Sequence, residues 1–224
     1  MESIPVITID GPSGSGKGTL AQRVADALGL RLLDSGAIYR VLGLAVERAA
    51  ISIEDVAKVV EIARNLQLSF KKGRVWLENE DVSDAIRTET AGNAASKVAA
   101  IPEVRRALLD WQRDYAKSPG LVADGRDMGT VVFPDAEVKI FLTASVEERA
   151  LRRYKQLKEK GLSVNLADLT EEIKERDERD SGRAVAPLKA AAAAWQMDST
   201  ELTADQVYLE VMRQVNNALP DLTT

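Results

Sequence analysis

Two spacings of apolar residues alternate along the chain, one short and continuous, the other recurring every three to four positions, and each marks a different element. Val6, Ile7, Thr8 and Ile9 form a β-branched, largely apolar run that predicts a strand covered on both faces. A glycine-rich turn follows, then residues 19–28 with the pattern of an amphipathic helix. Residues 30–33 predict a second short strand ending in Asp34-Ser35-Gly36, after which Ile38, Val41, Leu42 and Val46 recur at helical spacing. Residues 67–82 break this rhythm: Leu68, Ser69 and Phe70, a turn at Lys71-Lys72-Gly73-Arg74, and Val75, Trp76 and Leu77 alternate like a hairpin with one polar face. Helical patterns resume over 90–98 and 102–115, with Pro102 placed for a helix's first turn. Residues 121–124 and 138–142 predict two more core strands. Residues 145–160 and 169–180 predict two highly charged helices joined by a loop around Gly161, before a short strand near Met197 and a helix over 205–219. Strands alternating with helices imply an α/β fold with a parallel sheet. The hairpin is expected to belong to a small insertion and the charged pair to form a mobile flap.

Composition narrows this outline by exclusion. A chain of 224 residues favours one compact body with small insertions over two full domains. Its 35 acidic against 30 basic residues give a net charge of -5, which disfavours a whole-surface binder of nucleic acid or anionic membrane, since both need a broad cationic field. Cysteine and histidine are both absent, so chemistry falls to carboxylates, Lys, Arg and hydroxyls. No secretory pattern precedes the first strand and no apolar stretch is long enough to span a bilayer, so a cytoplasmic location is expected.

Gly11-Pro12-Ser13-Gly14-Ser15-Gly16-Lys17-Gly18-Thr19 lies between a predicted strand and a predicted helix, the context of a phosphate-binding loop. Glycines let successive backbone N–H groups turn towards phosphate oxygens, the helix start adds its dipole, and Lys17 can reach the β- and γ-phosphates. The common pattern places Ser or Thr directly after the lysine to meet Mg²⁺. Here Gly18 intervenes and the hydroxyl is that of Thr19, a variant that resembles nucleoside monophosphate kinases more than GTPases. A guanine-reading Asn-Lys-x-Asp is absent, and Asp-x-x-Gly occurs only as Asp26 to Gly29 at the end of a predicted helix.

Three further clusters carry charge. Ser35 and Arg40 open a helix directly after a strand, where ligands of open α/β sheets gather, although alone they read equally well as a Ser cap and a surface arginine. Arg126 and Asp127 follow the strand ending at Asp124, and three charges on one turn are costly unless a ligand or an ion pairs them. Asp124 is a candidate to organise Mg²⁺ through water. Arg176, Arg179 and Arg183 recur at helical spacing with Asp177 and Asp180 between them. That pattern fits either guanidinium groups converging on phosphates or a solvated helix laced by ion pairs, and the adjoining phosphate loop favours the first.

Asp34 to Arg40, Asp124 to Thr130, and Arg176 to Arg183, together with the loop, resemble bacterial cytidylate kinases over nearly the whole chain. The resemblance implies a P-loop NTPase-like parallel sheet core flanked by helices (residues 1–62, 100–150 and 185–224), a small inserted monophosphate-binding domain at about 63–99 and a helical lid at about 151–184. It implies ATP and Mg²⁺ as cofactors, CMP and dCMP as acceptors, no nucleic-acid or membrane partner, and a monomer. Within it, residues 11–19 hold ATP with help from the lid arginines Arg149 and Arg153. Ser35, Arg40 and Arg126 contact the monophosphate, while Asp127 reads the base with Ser96 and Arg105. Arg176 and Arg183 surround the transferring phosphate and the monophosphate, and Asp180 lies near the ribose hydroxyl. Lys17, Arg126, Arg176 and Arg183 form the catalytic set; Arg179 is read as structural, and no direct protein ligand to metal is singled out.

The base-reading role is chemically coherent. Cytosine offers a 4-amino donor to a carboxylate and its N3 and O2 acceptors to an arginine, whereas uracil would turn a carbonyl towards Asp127. The competing readings are a kinase of the same core acting on uridylate, shikimate or dephospho-coenzyme A, and a GTP-dependent switch. Trp76, Trp111 and Trp195 are assigned to packing.

Overall fold

The computed structural model describes residues 4–71 and 73–222, so Lys72 of the expected hairpin turn lies outside the described residues. In chain order the elements begin with β1 (Val6–Asp10), α1 (Lys17–Leu28), β2 (Arg31–Asp34), α2 (Ser35–Arg48), α3 (Val56–Arg64), β3 (Leu68–Lys71), β4 (Arg74–Leu77) and β5 (Glu80–Asp81). They continue with α4 (Glu89–Val98), α5 (Pro102–Arg113), β6 (Leu121–Gly125), β7 (Val138–Thr143), α6 (Val146–Glu159), α7 (Leu166–Ser181), β8 (Trp195–Asp198) and α8 (Ala204–Ala218). Contacts divide the chain into two units, the first comprising residues up to Leu33 and from Tyr115 onward, the second Asp34–Asp114.

Unit 1 is built on a five-stranded sheet of order β2-β6-β1-β7-β8. β1 runs parallel to both β6 and β7, and β7 parallel to β8, so the carboxyl ends of the central strands share one edge. Every residue of β1 is buried, which is why its apolar run shows no alternation. Ile7, Ile9, Val122, Ile140 and Leu142 form the middle of the core, with Leu20, Ala21 and Val24 of α1 and Val207, Val211 and Val215 of α8 packed on it. Each fully buried aliphatic side chain contributes about 1.5–3 kcal/mol to the stability of this cluster.

Unit 2 holds the antiparallel sheet β3-β4-β5, with Phe70, Val75 and Leu77 packed against Val41, Val82 and Ile86. α2 lies on α4 so closely that a Cβ on Gly43 would come within 3.0 Å of the Ala94 Cβ. α3 packs on α5. The unit is therefore wider than the insertion expected at about 63–99, because α2 and α5 bury their apolar faces on α4 and α3 within it. Likewise the expected core segment 1–62 is interrupted at Asp34. α3 is not anticipated by the sequence pattern. No Gly or Pro falls between Gly43 and Gly73 to mark its ends, and its start is set instead by Asp55, which accepts the Lys58 N–H.

Candidate active site

The loop after β1 leaves the sheet through a gap that only glycine passes. Gly11 has φ 155°, and a Cβ there would lie 2.1 Å from the Leu142 carbonyl oxygen of β7. At the far end Gly16, with φ 91°, is the N-cap of α1 and provides no side-chain cap. α2, α4 and α6 are instead capped by Asp34, Thr88 and Ser145. The opening N–H groups of α1 are thus left to an external acceptor, with the positive end of the helix behind them. Lys17 is 8% exposed and its Nζ donates to the Pro12 carbonyl at 3.0 Å, folding the ammonium back across the loop. Ser15 is buried, and its hydroxyl has no hydrogen-bond partner among the described residues. Asp124 of β6 reaches the same place, since a Cβ on Gly18 would meet its Oδ2 at 3.3 Å.

Arginines of α6 brace the loop's carbonyls. Arg149 donates from Nη1 to Ser13 O at 3.0 Å, from Nε to Ala144 O at 2.9 Å, and to the Asp177 carboxylate of α7 at 2.5 and 3.1 Å. Arg152 donates to Ser15 O at 3.3 Å and to the Ser199 carbonyl at 2.6 Å. A cavity of about 470 Å³ opens beside the loop, bounded by Thr19, Arg152, Arg153, Gln156, Leu202 and Val207 among others. Arg153, expected to hold ATP, is among the residues that line it. Arg149 is 3% exposed and holds the loop's own backbone, and Arg152, not singled out from the sequence, lines the cavity instead. Its signal was its place one helical turn after Arg149.

At the end of β6 the chain makes one wide helical turn, Met128–Val132, closed by Val131 and Val132 N–H groups on the Asp127 carbonyl. Asp10, also overlooked, ends β1 opposite Gly125 and accepts the N–H groups of Met128 and Gly129, each at 2.8 Å. Burial pushes its carboxyl up to about 7, against those two hydrogen bonds and with help from the neighbouring charges of Asp127 and Asp124. A carboxylate closing a fully buried strand was the signal available.

Beside this turn, Arg126 donates from Nε to Asp180 Oδ2 at 3.0 Å, and Arg183 donates to Asp180 Oδ1. Asp180 is 1% exposed. Burial alone would raise its carboxyl, but the guanidiniums of Arg126, Arg183 and Arg176 outweigh it and hold the group below the ordinary carboxylate range. Arg176 of α7, Arg183 just beyond its end and Arg126 of the β6 turn therefore converge on one carboxylate at the loop's edge of the sheet. Arg179 pairs with Glu175 at 3.6 Å on the helix surface.

Unit 2 carries the other expected residues. Ser35 opens α2 and donates to Gln112 Oε1 of α5 at 2.8 Å, a buried partner the sequence did not single out. Arg40 has a buried Nε with no hydrogen-bond partner among the described residues. Ser96 is 3% exposed on α4, and Arg105 of α5 donates to Ala99 O at 3.2 Å with its guanidinium 5.5 Å from the Tyr39 ring centre. Trp111 meets Phe70 at 6.4 Å between ring centres.

A parallel sheet, an uncapped helix start behind a glycine loop, and guanidiniums gathered at the same edge define the class of phosphate-loop phosphotransferases on an α/β core. The fold is shared with a crystal structure of a Thermus thermophilus protein, at a TM-score of 0.50 and 20% identity over 97% of this chain and 99% of that one. A protein from Eubacterium ventriosum superposes at a TM-score of 0.52 and 9% identity, over 95% and 98% of the two chains. The model of the family described as cytidylate kinase matches residues 7–217. A cytidylate kinase from Aeromonas salmonicida is 59% identical over 97% of this chain and 96% of its own length. One from Colwellia psychrerythraea is 55% identical over 97% and 99%. The chain belongs to the cytidylate kinase family.

Proposed function

We infer that the chain transfers the γ-phosphoryl group of ATP to CMP and dCMP, giving ADP with CDP or dCDP. An oxygen of the acceptor phosphate attacks the γ-phosphorus while the bond to the β–γ bridging oxygen breaks, so no protein nucleophile is involved. The observation that carries this reading is the convergence of Arg126, Arg176 and Arg183 on Asp180 at the strand edge from which the phosphate loop departs. Lys17 and these arginines balance the charge on the migrating group, and Asp180 keeps Arg126 and Arg183 aimed rather than solvated. Residues 11–19 wrap the ATP phosphates, and the cavity bounded by Arg152, Arg153 and Val207, of a volume ordinary for cofactor pockets, takes the adenosine.

Asp127 accepts the cytosine 4-amino group. Within unit 2, Ser96 and Arg105 are the base-recognising residues and Ser35 and Arg40 the phosphate-holding ones. The bare, buried Arg40 Nε suits an anion. Mg²⁺ fits this donor set as an ion held mainly by phosphate oxygens and water: Asp124 stands against Gly18, the residue before Thr19, and the described residues contain no cluster of three carboxylates able to hold a metal alone. It would supply charge neutralisation at the β- and γ-phosphates. A GTP-switch reading is not favoured, because Gly29 of Asp26-x-x-Gly29 is the left-handed C-cap of α1, with φ 63°. An ADP-release assay over CMP, dCMP, UMP, AMP and shikimate tests the assignment. CMP and dCMP should lead, and UMP turnover equal to that of CMP would overturn it.

A further inference from the structure

Among the buried carboxylates of unit 1, Asp10 has no part in the reaction proposed above. It closes β1 one residue before Gly11, and in the β1–β6 register it stands opposite Gly125. Its Oδ1 takes the Met128 N–H and its Oδ2 the Gly129 N–H. These are the opening donors of the turn Met128–Val132, and such donors have no acceptor inside their own turn. Asp10 supplies both from the neighbouring strand. Met128, fully buried, packs back over β6 so tightly that a Cβ on Gly125 would come within 2.7 Å of its Cγ. Arg126 and Asp127 are the two residues between Gly125, fixed in the sheet, and Met128, fixed by Asp10.

We propose that Asp10 is a positioning residue for the acceptor nucleotide: by seating both N–H groups it fixes the pose of Arg126 and Asp127 from the strand that launches the phosphate loop. The inference rests on the reading of Arg126 and Asp127 as acceptor-binding groups. Nothing in it calls for proton transfer by Asp10, which touches backbone alone in these two bonds. Asparagine matches aspartate in shape but offers one acceptor and turns an NH₂ donor at the second backbone N–H, so one of the two bonds becomes a donor facing a donor.

The test is steady-state kinetics of Asp10→Asn with CMP and ATP varied separately. We expect the KM for CMP to rise about tenfold or more with the KM for ATP within about twofold, because only the acceptor groups sit on the displaced turn. A CMP KM that stays put, or parallel rises in both, overturns the proposal. Gly129→Ala reaches the same seat from the other side and serves if Asp10→Asn does not fold. Its Cβ would lie 2.9 Å from Thr8 Oγ1 and 3.4 Å from Asp10 Oδ2. It should also raise the CMP KM selectively, and adding Thr8→Ala, which removes the nearer obstacle, should recover most of the loss; no recovery counts against the seat. Asp127→Ala separates the two readings. If it leaves the CMP KM unchanged, the acceptor assignment itself fails; if it raises it while Asp10→Asn does not, only the role given to Asp10 fails.

Discussion

Asp10→Asn should also flatten the dependence of stability on pH, and the size of the effect follows from where Asp10 sits. Its carboxyl moves from 3.8 to about 7 on folding, chiefly because burial penalises the charge. Between those values the folded protein holds a proton that the unfolded chain has released, so stability falls as pH rises through the window. Roughly three pH units at 1.36 kcal/mol each give a full penalty on the order of 4 kcal/mol above pH 7. About two of those units lie between pH 5 and pH 8, or on the order of 3 kcal/mol in the range convenient for measurement. Asp180 acts in the opposite direction. Its carboxyl is depressed, so its stabilisation is in place above the ordinary carboxylate range, disappears only as acid is approached, and is constant over this interval. Asparagine cannot ionise, and its lost hydrogen bond is the same at every pH. Thermal or urea unfolding of both proteins at pH 5 and pH 8 therefore isolates Asp10 as a difference of differences. The native protein should lose about 5–10 °C in Tm relative to the variant across the interval. Parallel curves would show that Asp10 is solvated or already ionised near pH 4, and the account of its burial would fall with them.

Lys17→Ala should lower turnover by roughly 100-fold or more in the ADP-release assay, since it removes a cation from the migrating phosphate; near-normal turnover with unchanged ATP dependence contradicts the loop assignment. Asp127→Ala should lose activity selectively with cytidine nucleotides, and equal losses across CMP, UMP and AMP would count against base reading. Asp180→Ala leaves Arg126 and Arg183 without their shared anion and should destabilise the protein by about 3 kcal/mol in urea unfolding, a value that a surface ion pair could not reach. Gly11→Ala places its Cβ against the Leu142 carbonyl, which belongs to a central strand and cannot yield, so the variant should fail to accumulate as folded protein, as read by circular dichroism of the soluble fraction.

The parallel core was legible because β1 reads as a continuous, largely β-branched buried run and further apolar strands alternate with helices, and because Gly11 to Thr19 has a spacing set by backbone chemistry rather than by context. Helices α6 and α7 were also visible as two highly charged segments joined by a loop around Gly161, although α7 begins at Leu166, capped by Asn165, rather than at 169. What escaped were contacts between positions far apart in the chain. Arg149 has the look of a free lid cation, yet its hydrogen bonds to Ser13 and Asp177 depend on how α6 docks, which no local pattern encodes. Asp10 reads as the polar end of a strand until Met128 and Gly129 arrive from 118 and 119 residues away. Unit 2 widened to Asp34 for the same reason: the faces of α2 and α5 are apolar in either arrangement, and only packing decides which neighbours they meet.

The double grip of Arg149, on the Ser13 carbonyl and on Asp177, makes the charged hairpin and the glycine loop mechanically one part. A hairpin transplanted here from another kinase would have to bring its own mortar at positions 149, 152 and 177, or the loop would be left as an arch without its buttress. Exchange of this helical hairpin between such enzymes is thus a matter of joinery at the base of α6, however well the tips are matched.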